Sequence, residues 1–199
     1  GLMKAAAKVG KPIYAMIRPR AGDFIYSTRD IDGMHADIDA VRRAGLAGVV
    51  IGAATPDRAL DMAILRDLID AAGGLCVTLH RVIDTVVDPL VAVDQAIDLG
   101  ISRILSSGAA PSATAGADML AAMEQRANGR ITIMAGAGVT ARNLAVLRTK
   151  TGLSDFHSSC SYGGMVADDP FGLGAVSDPD LVRDNIMELH AILMGPAGF

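Results

Sequence analysis

Ile13-Tyr14-Ala15-Met16-Ile17-Arg18-Pro19-Arg20-Ala21-Gly22-Asp23-Phe24-Ile25-Tyr26 is the stretch from which the fold is read. Ile13 to Ile17 reads as a strand because β-branched and large residues fill successive positions. Pro19 has no amide proton for a sheet ladder and biases Arg18 toward an extended conformation, so the strand ends there. Two arginines, an aspartate and a tyrosine then sit on the loop that leaves the strand's carboxyl end. In parallel α/β proteins that edge is where ligands bind. A guanidinium is always charged, and its forked donors match a carboxylate or a phosphate. Arg18, Arg20, Asp23 and Tyr26 are therefore candidate ligand-binding residues. The same residues support a second reading, in which an arginine pairs with Asp23 only to fasten the loop. The sequence leaves both open.

Working outward, residues 2–9 read as the last turns of a helix closed by Gly10. After the arginine loop, Ser27 and Asp30 form a capping-box pattern for a helix reaching Ala44 and Gly45. Val49-Val50-Ile51 is an apolar run of the kind found in buried parallel strands. Further strands are expected at Cys76–Arg81, around Ile104–Leu105, at Ile131–Met134 and at Asp155–Ser159. Helices are expected over Met62–Ala72, from Asp88-Pro89 to Leu99, from Thr114 to Ala127 and from Thr140 to Thr149. Residues 160–177, rich in Gly, Asp and Ser, read as a long functional or mobile loop, and 178–194 as a C-terminal helix.

Strand, turn and helix thus repeat, with strand starts spaced by roughly 20–35 residues, the signature of βαβ units. The glycine-rich turn comes late, at Gly136-Ala137-Gly138, and no Gly-x-Gly-x-x-Gly follows an early strand. That pattern suits a barrel's late phosphate loops better than a dinucleotide fold. The expectation is an α/β, TIM-barrel-like parallel sheet in one incomplete domain over 1–199, with six of eight βα units. Open edges at the first and last strands would invite another chain, so a homo-oligomer is expected.

Composition narrows the function. Hydrophobic residues make up 51% of the 199 residues while aromatics are only 4%, which implies an aliphatic core. A net charge of −4, without a Lys/Arg-rich run, argues against nucleic acid as a partner. No apolar run is long enough to span a bilayer, so no membrane partner is expected. Two distant cysteines, Cys76 and Cys160, form no disulfide framework and point to a reducing, cytoplasmic setting.

Alternation along the strands suggests where chemistry gathers. If Ile17, Leu79 and Phe156 face the helices, Arg18, His80 and His157 point inward at carboxyl ends. Ser106 or Ser107 would lie beside them. His80, His157 and Asp84 are the candidate acid–base groups, with Asp84 alternatively a turn residue saturating backbone donors. Arg81 and Ser107 join the ligand-binding candidates. Gly136 and Gly138 let backbone amides approach an anion ahead of a helix N-terminus. Together these suggest a barrel enzyme acting on a small anionic or phosphorylated metabolite. No soft-ligand cluster of the Cys-x-x-Cys or Met-x-x-Met kind is present, so metal ligands stay unassigned.

The motifs Met16-Ile17-Arg18-Pro19-Arg20-Ala21-Gly22-Asp23-Phe24-Ile25-Tyr26-Ser27, Gly48-Val49-Val50-Ile51-Gly52, Thr78-Leu79-His80-Arg81-Val82-Ile83-Asp84, Arg103-Ile104-Leu105-Ser106-Ser107-Gly108, Ile133-Met134-Ala135-Gly136-Ala137-Gly138-Val139 and Phe156-His157-Ser158-Ser159 closely resemble the CutC family, named for copper homeostasis. The resemblance extends to about Ser161. It implies a TIM-barrel-like cytoplasmic protein, often dimeric, linked to copper, with copper as its implied metal. The family carries a strand–helix–strand stretch, with a cysteine implicated in Cu(I) binding, ahead of the position matching Gly1. It has Phe-His-Arg-Ala-Phe-Asp where this chain has Leu79 to Asp84, and Gly-Gly-Gly where it has Gly136 to Gly138.

Overall fold

The computed structural model describes residues 1–160 and 179–194. Six strands, β1 (Tyr14–Met16), β2 (Gly48–Ile51), β3 (Cys76–Leu79), β4 (Arg103–Ser106), β5 (Thr132–Ala135) and β6 (Asp155–Phe156), pair in sequence order, every pair parallel. Between them run α2 (Thr28–Ala44), α3 (Met62–Ala72), α4 (Pro89–Asp98), α5 (Ala117–Ala127) and α6 (Ala141–Thr151); α1 (Leu2–Ala6) precedes and α7 (Pro179–Met194) follows. The sheet is a curled half-barrel, six strands of a TIM-barrel-like α/β fold. Among the described residues β1 and β6 do not pair with each other. No helix there is long and apolar enough to cross a membrane.

The two faces of the sheet differ in what they bury. Ile17, Val49, Ile51, Leu79, Ile104 and Ile133 lie under the helices with at most 1% exposure. They pack on Met34, Ile38, Leu65, Leu68, Leu120 and Leu144 in one aliphatic cluster, as expected of strands covered by helices. Met16, Thr78 and His80 take the other, inner face by alternation. There Met16 is exposed, while Thr78 and His80 are buried.

Local chemistry sets the helix ends. Ser27 and Asp30 bond reciprocally in a capping box, and Gly45 closes α2 in the left-handed conformation at φ 71°. The Asp88 carboxylate accepts from the Leu90 and Val91 amides at 2.9 and 3.1 Å, with Pro89 in the first turn. Several boundaries differ from the pattern reading. β3 stops at Leu79, not Arg81: the His80 amide still donates to the Ile51 carbonyl at 2.8 Å, but its side chain caps a 3₁₀ turn over Arg81–Thr85. α5 begins at Ala117, not Thr114. Gly116 there passes so close to the neighbouring loop that a Cβ would fall 1.9 Å from the Ser107 carbonyl oxygen. β6 is two residues rather than five, although the His157 amide still donates to the Ala135 carbonyl at 2.8 Å. The expected loop over 160–177 lies, after Cys160, outside the described residues.

Asp88→Ala should cost about 1 kcal/mol, the usual worth of an N-cap, read as a lowered denaturation midpoint at unchanged slope.

Candidate functional site

The β1–α2 loop carries two arginines with different fates. Arg20 donates from Nη2 to Asp23 Oδ1 at 2.7 Å and to the Ile25 carbonyl, and from Nε to Asp30 Oδ2 at 3.4 Å. Its hydrogen bond to Arg20 holds Asp23 below the ordinary carboxylate range, and the Ser27 amide does the same for Asp30. Tyr26 lies beneath, 8% exposed within the core cluster, with the Arg20 guanidinium 5.5 Å from its ring centre. Burial pushes its hydroxyl's pKa up. Arg20, Asp23, Tyr26 and Asp30 thus tie the loop to the start of α2. Arg18 differs. It is exposed, donates from Nη2 to the Gly22 carbonyl at 2.7 Å, and lies 4.7 Å from the centre of the Phe24 ring. Among the described residues no carboxylate pairs with it.

The other face of this assembly is His80. Its ring centre stands 4.7 Å from that of Phe24, tilted by 40°, so Phe24 contacts both Arg18 and His80. The Val82 amide donates to Nδ1 at 3.1 Å. That bond fixes Nδ1 as the acceptor and puts the proton on Nε2. Nε2 is buried and has no hydrogen-bond partner among the described residues. Burial first, and the Arg18 charge second, lower the His80 pKa to about 4. With that shift the imidazole is neutral at pH 7 and presents its Nε2–H as a donor. The ring has room because residue 52 is glycine: a Cβ there would come 2.3 Å from His80 Cε1 and 2.7 Å from Val82 Cγ1.

Asp84, whose side chain is 7% exposed, organises the next loop. It accepts from Ser106 Oγ at 2.6 Å, from the Ser107 amide at 3.0 Å, from the Ala109 amide at 3.1 Å and from Arg81 Nε at 2.8 Å. Arg81 Nη2 donates to Ser107 Oγ at 2.8 Å, and Ser107 Oγ reaches the Ala110 carbonyl at 2.6 Å. This carboxylate saturates backbone and hydroxyl donors. Among the described residues no hydrogen bond joins it to His80.

The glycine loop after β5 is also internally engaged. The Gly136 amide donates to the Ser106 carbonyl at 2.8 Å, and Asn143 bonds both the Gly138 carbonyl and the Thr140 amide. A Cβ at Gly136 would meet Leu105 Cδ1 at 2.5 Å, so a larger residue would require that leucine to move. Ala137 sits at φ 74°, a left-handed conformation that glycine adopts with less strain. His157 follows β6 and is exposed, and among the described residues no hydrogen bond or ring contact joins it to His80, whereas Phe24 contacts both Arg18 and His80.

The residues that pattern reading passed over are Phe24 and Gly52. A glycine following the β2 run was the visible signal for close approach, but what approaches it comes from another strand.

The fold and site define a βα-barrel protein with its polar groups gathered at the carboxyl ends of parallel strands. The CutC family profile matches residues 1–162. A family protein CutC of Caulobacter vibrioides is 50% identical over 187 residues, covering 92% of this chain and 76% of that protein. The Sinorhizobium medicae counterpart is 47% identical over 161 residues, 81% of this chain and 66% of its own length. In structure, CutC from Streptococcus agalactiae, named for copper homeostasis, superposes with a TM-score of 0.76 at 30% identity over 79% of each chain. A native KDPGal structure shares the fold alone, with a TM-score of 0.61 at 15% identity over 97% of this chain and 73% of its own. This chain belongs to the CutC family.

Copper can be weighed against the donors present. Cu(I) favours thiolates and thioethers brought together. Cys76 begins β3 at the sheet's amino edge, whereas Cys160 lies past the carboxyl end of β6. No group of three or more His, Cys, Asp or Glu converges among the described residues. Those residues do not fit a copper centre.

Because the folded pKa of His80 lies below its ordinary 6.5, the unfolded chain takes up the proton first as pH falls. The stability this confers is complete above about pH 6.5 and declines toward pH 4, by about 3 kcal/mol in all. Denaturation of the wild type across that interval should show this decline, and His80→Gln should be flatter. Parallel curves would mean that the folded and unfolded pKa values of His80 coincide.

Proposed function

We propose that this chain binds a small anionic metabolite at the strand-end mouth of a CutC-family barrel, in the cytoplasm, with Arg18 as the anchor for the anion. The observation that carries the reading is the division of charge at the mouth. Asp23 is engaged by Arg20, and Asp84 by Arg81, Ser106, Ser107 and Ala109. Arg18 is left with a carbonyl and an aromatic face. A cation stacked on an aromatic ring keeps part of its forked edge available, which suits a carboxylate or phosphate. Burying that cation under a ligand is favourable only if the ligand supplies the negative charge.

His80 contributes a neutral donor from its Nε2–H. Such a donor stabilises negative charge that develops on an oxygen, without carrying a proton away. Arg81, Ser107, Gly136 and Gly138 shape the rim through the loops they hold. The link to copper homeostasis, which the family name carries, would then run through this ligand rather than through copper held by the described residues.

Two measurements test the reading. Inorganic phosphate or sulfate should raise the melting temperature of the wild type in a concentration-dependent way. Arg18→Met should abolish that rise while leaving the anion-free melting temperature nearly unchanged. A lower melting temperature with the anion effect intact would make Arg18 structural. Separately, Cu(I) competition under reducing conditions should give the same affinity for the wild type and for the Cys76→Ser, Cys160→Ser double variant. Tighter binding by the wild type would restore copper as a ligand of this chain.

A further inference from the structure

His80 combines three properties that together select a kind of ligand atom. It is 3% exposed. Its Nδ1 is already taken by the Val82 amide. Its Nε2–H is buried and has no partner among the described residues. A buried donor without an acceptor is costly, and native structures satisfy nearly all of them. The complement of this donor is an oxygen acceptor. A second carboxylate is not called for, because the imidazole is neutral and brings no charge to offset one.

The acceptor can be specified further. A ligand hydroxyl that accepted from Nε2–H would still carry a proton needing an acceptor of its own. The carboxylates of the adjoining loops are spent: Asp23 on Arg20 and the Ile25 amide, and Asp84 on two serines, a backbone amide and Arg81. A carbonyl oxygen only accepts, so it fits this surrounding without a leftover donor.

Phe24 fixes how the two groups are spaced. The Arg18 guanidinium carbon and the His80 ring centre each lie 4.7 Å from the centre of the same phenyl ring. The guanidinium carbon and the imidazole centre therefore stand within twice that distance of each other, both against Phe24. Gly52 is part of the same design, since any side chain there would displace the imidazole.

We infer that the ligand is a small oxo acid, its anionic group on Arg18 and its carbonyl oxygen on His80 Nε2–H, lying across Phe24. The inference rests on the anion-binding reading above and deepens it from charge to functional group.

The test compares acids of one chain length, namely butyrate, 2-hydroxybutyrate, 2-oxobutyrate and acetoacetate, with inorganic phosphate as the plain anion. In calorimetric titrations of the wild type, one of the two oxo acids should bind about tenfold more tightly than butyrate, the scale of one well-placed hydrogen bond. His80→Phe, which keeps a ring over Gly52 but removes the donor, should bring that oxo acid level with butyrate. Arg18→Met should abolish binding of all four acids. A readout that needs no variant is the His80 Nε2–H resonance in histidine-labelled wild type, which should move with the oxo acid and stay in place with butyrate. Equal affinities for the oxo acids and butyrate would overturn the inference. So would a preference for 2-hydroxybutyrate, or an Nε2–H signal indifferent to the oxo acid. In those cases butyrate and phosphate binding lost in Arg18→Met would leave the anion-binding reading standing. If neither phosphate nor any acid binds the wild type, that reading falls and this one with it.

Discussion

The carboxylate of Asp84 holds the carboxyl end of this sheet together. From a buried position it accepts hydrogen bonds from Ser106, Ser107, Ala109 and Arg81. The end of β4 and the turn after β3 are joined through one side chain. Charge-assisted hydrogen bonds of this kind are stronger than neutral ones, and a buried carboxylate is stable only when such donors surround it. The turn it anchors, Arg81–Thr85, also supplies the Val82 amide that sets the tautomer of His80. The polarity of the mouth thus depends on a residue that does not face it.

A second economy governs the arginines. Arg18, Arg20 and Arg81 all leave strand ends, yet two are neutralised within their own loops and one is not. Arg20 spans Asp23 and Asp30, so its charge also serves the first turn of α2, whose capping box uses the same Asp30. Such partly exposed pairs add little stability on their own, but they determine which cation remains for a ligand. Phe24 completes the arrangement by giving Arg18 an aromatic face and His80 a wall against water.

Family and fold carry different weight here. Identity near 50% to curated CutC proteins places the chain in its family, whereas structural neighbours at 15% identity share only a barrel on which many chemistries are built. The two cysteines stand at opposite edges of the sheet, while Arg18 and His80 both lie against Phe24.

Much of this protein was legible as sequence. Apolar runs, helix caps and glycine stops are local signals, and they gave six parallel strands, their order and the helices between them. The carboxyl-end loops carrying Arg18, His80 and Asp84 followed from the same reading, because Pro19 and the strand ends are local too. Where elements begin and end was less secure. β3 is shortened by a side chain that caps its own turn, and α5 by a backbone contact with another loop. The pairing of charges lay beyond the sequence altogether: Arg18 and Arg20 are two residues apart and chemically identical, and only the path of the loop decides which reaches Asp23 and Asp30. Nor could alternation bring His157 to His80, since residues on the same face of separate strands meet only if curvature and stagger allow. The neutrality of His80 is tertiary as well. It arises from burial and from the charge of Arg18, and the ring fits there only because residue 52 is glycine.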